Sequence, residues 1–267
     1  MEIYKIYEYE TIDSTNDEAV RLAETGAKEG TLVIAKEQTA GHGRMGRTWH
    51  SPSGENIYMT LVLRPEIPAE KVSMVTLLMG LAVSKGIDRV IKEEWGCDLL
   101  QTRIKWPNDV LINGKKMCGI LTGMKDDFIG KTFVYVGVGI NLTEEEYPED
   151  IREKATSLQS ALKLLVGKEA VVDEDKRRRL IKVIVEEFKG LYEKFLKEQK
   201  LEFIKSEYNN RLINLNEMVR VNDPREPYEG ICRGITNHGE LMVETGEYLK
   251  LVMSGEVSVR ASDGSYV

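Results

Sequence analysis

Three glycines crowded together at Gly41, Gly43 and Gly46, with no helix behind them, constrain this chain more than any other stretch. They lie in residues 38–52, QTAGHGRMGRTWHSP. The letters GHGRMG satisfy GxGxxG, but a dinucleotide fold needs a helix straight after the glycines. Here Arg47, Thr48, Trp49, His50, Ser51, Pro52 and Gly54 follow, a loop and strand composition. No GxxxxGK[ST] occurs, so a Walker A loop is excluded as well. Glycine lets a backbone reach φ > 0 and come close to a ligand. Successive N–H groups in such a turn can cradle an anion, and Arg44 and Arg47 add forked cations suited to phosphate or carboxylate. An ordinary basic surface loop has the same letters, and the stretch alone fits both readings.

The segments around the loop give strands and helices in irregular alternation. Residues 3–9 alternate as a first strand. Thr15 with Glu18 forms a capping-box pattern for a helix that ends at Gly26, and in that reading Ser14, Thr15 and Asn16 are simple caps. TLVIAKEQT then delivers the chain into the glycine loop, and IYMTLVL (Ile57–Leu63) follows it as a strand. Apolar spacing predicts a helix over 70–93, weakened by Gly80 and Gly86, and a strand over 99–104. Pro107 forces Trp106 toward an extended backbone. Asn113-Gly114 between apolar runs predicts a hairpin pairing 110–112 with 115–121. Lys115 and Lys116 then face opposite ways, so one points into the fold and needs an anion or a function there. Residues 132–142, TFVYVGVGINL, form the most strand-like segment, with Gly137 and Gly139 on one face for close packing or ligand approach, and Asn141 at its end. Residues 143–172 read as loop and a short helix, and 174–205 as one long amphipathic helix on which Lys176 to Arg179 make a solvated face. From about Leu212, five short runs (MVRV, YEGICRGI, LMVE, YLKLV, VSVR) predict a small SH3-like β-barrel.

Composition removes several function classes. A net charge of −7 argues against a general nucleic-acid binder. No apolar run has membrane-spanning length, and MEIYKIYEYE lacks the apolar core of a signal peptide. Cys97, Cys118 and Cys232 are odd in number and far apart, which suits a reducing cytoplasm rather than a disulfide framework. His42, His50 and His238 show no ligand spacing, so no built-in metal is expected.

Taken together, the motifs resemble the biotin–protein ligase (biotin–[acetyl-CoA-carboxylase] ligase) family. GHGRMGRTW resembles its GRGRxGRxW loop, KWPNDV its KWPND block, KKMCGIL its lysine hairpin, GVGINL its GxGxN strand and DSTN its first helix start, in the family's order across residues 5–145. The resemblance implies an α+β fold: a mixed sheet flanked by helices, related to class II synthetases, over residues 1–211, with an SH3-like barrel over 212–267. It implies that ATP and Mg²⁺ activate biotin as biotinyl-5′-AMP, which is then transferred to a lysine ε-amine of a biotin carboxyl carrier protein.

By motif, Lys116, Arg44 and Asp109 would be catalytic, with Asp109 near Mg²⁺. Ser14, Thr15, Asn16, Gln38, Gly41, His42, Gly43, Arg44, Lys116 and Gly119 would hold biotin, which overrides the capping reading of residues 14–16. Arg47, Trp49, Lys105, Asn108, Ile120 and Asn141 would meet the nucleotide. His42 and Met45 depart from positions that are commonly basic in the family. The catalytic pattern starts close to Met1, so the expectation is a cytoplasmic ligase without a DNA-binding domain, and the family's habit allows a homodimer through the central sheet. Two other readings share these residues: a lipoate or octanoate ligase, and a non-enzymatic nucleotide- or DNA-binding regulator supported only by residues 176–179 and the barrel.

Overall fold

β-Branched and aromatic residues gathered in short runs favour pleated, half-buried backbone. In the computed structural model, which describes residues 1–54, 56–143, 146–167, 170–224, 226–246, 248–254, 258–262 and 265–266, these runs pair into two sheets. The larger contains β1 (Lys5–Ile12), β2 (Thr31–Gln38), β3 (Ile57–Leu63), β4 (Arg103–Lys105), β5 (Asp109–Ile112), β6 (Lys115–Asp126) and β7 (Thr132–Ile140). Their order is β1-β2-β3-β7-β6-β5-β4. Only β1 and β2 run parallel; the other pairs are antiparallel, so the sheet is mixed as expected. The β5–β6 hairpin turns where expected, with Asn113 at φ 51° and Gly114 at φ 74°.

Helices α1 (Thr15–Glu24), α2 (Val72–Trp95), α3 (Glu149–Arg152), α4 (Leu158–Val166), α5 (Glu174–Glu198) and α6 (Glu202–Arg211) complete the first part. Strand alternation decides which helix goes where. Val33 and Val62 face Ala19, Val20 and Ala23 of α1. Leu32, Ile34, Leu61 and Leu63 face the other way, into the core built with α2 and α5. Leu77, Leu78 and Leu81 are all at most 1% exposed there, each worth roughly 1.5–3 kcal/mol of burial. The second sheet contains β8 (Met218–Asn222), β9 (Tyr228–Ile235), β10 (Leu241–Thr245), β11 (Tyr248–Val252) and β12 (Ser258–Ala261). It is antiparallel with order β11-β10-β9-β8-β12. The first residue of the expected VSVR strand, 257, lies outside the described residues. The main core runs on into this sheet through Val219, Val221, Cys232 and Val243. Trp106 Nε1 also donates to Gly239 O at 2.9 Å.

Several expectations are corrected. The first strand runs from Lys5 to Ile12 rather than 3–9, because its parallel register continues to Ile12↔Gln38. Ser14, not Thr15, caps α1: its backbone is extended and its Oγ accepts from the N–H groups of Asn16 and Asp17. Glu18 instead accepts from Tyr9 Oη at 2.7 Å and Arg21 Nε at 2.8 Å. The strand over 99–104 shrinks to Arg103–Lys105, since Leu99 is 88% exposed and the Thr102 N–H is taken by Asp88. The single helix over 174–205 is two, broken where Gln199 turns left-handed at φ 48°. The run at 176–179 is not a uniformly solvated face: Arg177 is buried and donates to Asn56 O at 2.9 Å and Ala35 O at 3.3 Å. Gly86, expected to weaken α2, instead lets it approach α5, for a Cβ there would lie 2.8 Å from Ile184.

Candidate active site

The glycine face of β7 is the floor of the site. A Cβ on Gly137 would sit 2.1 Å from Asn16 Oδ1, and one on Gly139 2.5 Å from the Trp49 indole. Larger side chains are excluded there because something already packs at contact distance. Close by, at the start of α1, the Thr15 N–H and hydroxyl both donate to Gln38 Oε1, at 2.9 and 3.0 Å. Gln38 Nε2 donates to Ser51 Oγ at 2.8 Å. Thr60 Oγ1 lies 2.9 Å from Thr15 Oγ1 and 2.7 Å from Asn16 Oδ1. Thr15, Asn16 and Gln38, with Ile120, Leu121 and Val138, line a cleft that has no carboxylate in its wall, and Ser51 and Thr60 stand behind them. The network fixes side-chain rotamers while leaving spare acceptor and donor capacity on amide and hydroxyl groups.

The glycine loop forms one wall. It is a small hairpin, with His42 bridged to Thr48 and the Gly43 N–H donating to Arg47 O at 2.7 Å. Met45 and Gly46 at its tip are both left-handed, at φ 58° and 71°, which Gly46 takes without cost and Met45 does not. Contacts to other elements pin the loop down, among them His42 Nε2 to Asp17 Oδ2 at 2.8 Å and Arg44 Nη1 to Asn108 Oδ1 at 2.8 Å. His42, a departure from the basic motif, thus pairs with the carboxylate of α1.

A second, wider cleft adjoins the first. Arg44, Arg47, Lys105, Lys116, Lys154 and Arg260 line it against two carboxylates, Asp109 and Asp150. Such an excess of positive charge in a concave wall suits a polyanion. Gly43, Arg44, Trp49, Asn108 and Lys116 line both clefts, so the two meet at two cations and an indole. Asp109 anchors the meeting point. Its Oδ1 lies 2.7 Å from Lys116 Nζ and accepts from Asn108 Nδ2 at 3.1 Å, and its Oδ2 accepts from Tyr266 Oη. Burial pushes the Asp109 carboxyl up, but the charge and hydrogen bond of Lys116 and the hydrogen bond of Tyr266 outweigh it and hold it below the usual range. Burial, and then the nearby Arg260, push the Lys105 ammonium down to about 7. Burial also lowers the Arg44 guanidinium, against the pull of Asp109. Trp49 Nε1 is buried without a hydrogen-bond partner, a donor that an acceptor on a ligand would satisfy.

The structure brings nearly all the residues singled out in the sequence to these two clefts. Ser14 and Gly41 stand behind the wall. Ser14 is buried as the cap of α1, and Gly41 is packed so tightly that a Cβ would lie 2.7 Å from both Ser51 Oγ and Trp49 O. Asn141 lines the second cleft, but its amide also donates to Thr156 O at 3.2 Å, and its N–H to Met117 O, so it ties strand to loop as well. Lys116, not the exposed Lys115, turns inward. Sequence reasoning missed Thr60, Lys154, Arg260 and Tyr266. Thr60 had a signal, being the one polar residue in IYMTLVL. The other three reach the site through tertiary packing.

Among the described residues there is no group of three or more His, Cys, Asp or Glu side chains able to hold a metal, and no helix long and apolar enough to cross a membrane. Comparison with known proteins gives a consistent result. Residues 8–141 match the biotin/lipoate A/B protein ligase family, and residues 215–260 match the biotin protein ligase C-terminal domain. The chain is 34% identical to the bifunctional ligase/repressor BirA of Bacillus subtilis over 94% of its length and 73% of that protein. It is 30% identical to the biotin–[acetyl-CoA-carboxylase] ligase of Mycobacterium tuberculosis, covering 91% of this chain and 85% of the other. A solved Aquifex aeolicus biotin protein ligase in complex with biotin and ATP superposes with a TM-score of 0.77 at 29% identity, covering 97% of this chain and 100% of that one.

Proposed function

The chain belongs to the biotin/lipoate A/B protein ligase family, and from that premise we propose how its own residues divide the work of a biotin–protein ligase. The overall reaction is ATP-dependent: biotin becomes biotinyl-5′-AMP, and the acyl group passes to a lysine ε-amine of a biotin-dependent carboxylase carrier protein. The carrying observation is that a neutral polar cleft and a cationic cleft meet at Lys116 and Arg44. A carboxylate held in the first and a triphosphate held in the second would react at that junction.

In the first step a biotin carboxylate oxygen attacks the α-phosphorus, the bond to the β-phosphate oxygen breaks, and pyrophosphate leaves. Three anionic groups crowd together as the phosphorus becomes five-coordinate. Lys116 and Arg44 supply preorganised positive charge in a partly buried site, where it counts for more than in water. Mg²⁺ bound to the ATP would supply further neutralisation of phosphate charge. Asp109, expected from the resemblance to sit near Mg²⁺, has its carboxylate occupied by Lys116, Asn108 and Tyr266. Its role in this reading is to hold Lys116 in place. In the second step the carrier amine attacks the acyl carbon and AMP leaves, with Lys116 again beside the departing charge.

Asn16, Thr15 and Gln38 recognise the polar ureido ring, and Trp49, Lys105 and Arg47 meet the nucleotide. The glycine loop closes over the intermediate and keeps water from it. An alkyl-chain substrate such as lipoate would leave the amides and hydroxyls of the first cleft unsatisfied, which favours biotin. Pyrophosphate release and acyl-AMP formation with biotin and with lipoate, in the absence of carrier protein, test the reading. Activity with lipoate alone would overturn it.

The same reading includes residues 1–211 as the catalytic unit and 212–267 as the second unit, supported by the change from one sheet to the other between α6 and β8. It includes a cytoplasmic location and no nucleic-acid partner, supported by the net charge of −7 and the scattered cysteines. It also includes a homodimer across the central sheet. In support, β1 pairs only with β2 among the described residues, and Tyr4 just before it and Ile6 within it are 56% and 49% exposed. Light scattering of the purified chain checks the dimer, and a monomer at all concentrations would remove it.

A further inference from the structure

Tyr266 lies in the segment after β12, far in sequence from the motifs of the catalytic sheet, yet its phenol meets the buried carboxylate beside Lys116. Its hydroxyl donates to Asp109 Oδ2. Its ring lies close to two basic side chains, with Lys105 Nζ 3.5 Å and the Arg260 guanidinium 5.1 Å from the centroid. Ala261 N, at the end of β12, donates to Ser265 O at 3.3 Å, so Ser265 lies beside the end of that strand. The other Asp109 oxygen lies 2.7 Å from Lys116 Nζ, so one carboxylate links the phenol to the lysine.

We propose that Tyr266 is a positioning residue of the ligase reaction: by holding Asp109 it fixes where Lys116 presents its charge, and so couples the second sheet to the reacting centre. This rests on the ligase reading above. A carboxylate with one oxygen unbound can swing about its χ2 torsion, which is broad for aspartate. With Oδ2 held by Tyr266 and Oδ1 shared by Lys116 and Asn108, that freedom is gone. An ammonium displaced by even about 1 Å loses much of its value at a transition state. The aromatic ring has a separable function. Lying 3.5 Å from Lys105 Nζ and 5.1 Å from the Arg260 guanidinium, it keeps both groups spaced for a polyanion, a cation–π arrangement (for Lys105 in its charged form) that survives removal of the hydroxyl.

The experiment is a double-mutant cycle on adenylate formation by the full chain, with biotin, ATP and Mg²⁺. Tyr266→Phe is expected to lower kcat about 10-fold with the KM for ATP within about twofold, since the ring stays and the hydroxyl goes. Tyr266→Ala is expected to raise the KM for ATP as well. In an Asp109→Asn background, Tyr266→Phe is expected to have little further effect on kcat. Additive losses in the cycle would make the tyrosine merely structural and overturn the proposal. An unchanged kcat with a lowered KM for ATP would instead make Tyr266 a plug that nucleotide displaces, and would overturn it equally. Circular dichroism of each variant checks that it is folded. Adenylate formed normally by the parent protein but unaffected by Tyr266→Phe would sink this inference alone, whereas no adenylate from the folded parent would sink the ligase reading itself.

Discussion

The cleft over the glycine face of β7 and the cationic cleft beside it share five lining residues but differ in how they are made. The first is lined by strands β2, β6 and β7, the start of α1, the loop and Asn108, and away from Arg44 and Lys116 its amides and hydroxyls (Thr15, Asn16, Gln38) are uncharged and tied into one hydrogen-bond network with Thr60. The second takes its charges from the loop, from strand ends (Lys105 closing β4, Asp109 opening β5, Lys116 near the start of β6), from α3 and the segment after it, and from the second sheet. The difference follows from the chemistry each must handle. A neutral heterocycle is recognised by fixed donors and acceptors, which rigid strands hold well. A triphosphate needs charge from several directions, and loops and a second sheet can supply it.

The largest expected effect lies where the clefts meet. Lys116→Ala should lower biotinyl-AMP formation by at least about 10²-fold, the scale of losing one transition-state charge contact. A near-normal rate from folded protein would show that the junction is not the reacting centre. Next come changes confined to one side. Gly137→Ala places a Cβ 2.1 Å from Asn16 Oδ1 on the strand floor, so Asn16 or the strand must shift. We expect the KM for biotin to rise roughly 10-fold with the KM for ATP little changed, as for misfit in a closed pocket. Equal changes in both would mean that the two clefts are not separable.

Lys105 tests the other side through pH. Burial lowers its ammonium to about 7 from an ordinary value near 10.5. At pH 8 the free protein therefore holds it mostly neutral. Bound phosphates favour the charged form, so nucleotide binding should take up a proton, approaching one per site. Calorimetry in two buffers of different ionisation enthalpy reads this directly, and Lys105→Met should abolish it. The same shift affects stability. Between about pH 7 and 10.5 the unfolded chain binds more protons at this residue than the folded one. Stability should therefore rise with pH across that window, by up to about 1.4 kcal/mol per unit. Below pH 7 the full cost of burying the charge is felt. The smallest effect concerns the loop. His42→Ala removes the contact with Asp17, an exposed pair worth under about 1 kcal/mol. Hydrogen exchange in residues 40–50 should speed a few-fold without ligand and return to the parent rate with biotinyl-AMP; loop protection that never depends on ligand would exclude a closing role.

Local chemistry made much of the first cleft readable before the fold was known. Asn113-Gly114 set the hairpin that turns Lys116 inward, and the spacing of Gly137 and Gly139 placed both on one face. The motif order did the rest, since no spacing rule could choose Lys116 over Lys115. What failed was set by packing over distance. Ser14 rather than Thr15 capped α1 because Glu18 found Tyr9 and Arg21 as partners. Arg177 was buried because two backbone carbonyls from other elements awaited its guanidinium. The second cleft was half legible: Arg47, Lys105 and Asp109 stand in motifs, whereas Arg260 and Tyr266 reach it only because the second sheet docks against Trp106 and the turn before β5.

The most direct measurement is adenylate formation by the purified chain with ATP, Mg²⁺ and either biotin or lipoate, without carrier protein. Biotinyl-AMP and pyrophosphate in equal amounts, with nothing from lipoate, is the result expected of a neutral polar cleft meeting a cationic one at Lys116. Adenylate from lipoate alone would contradict the reading of the first cleft, and no adenylate from either by folded protein would contradict the account at its centre.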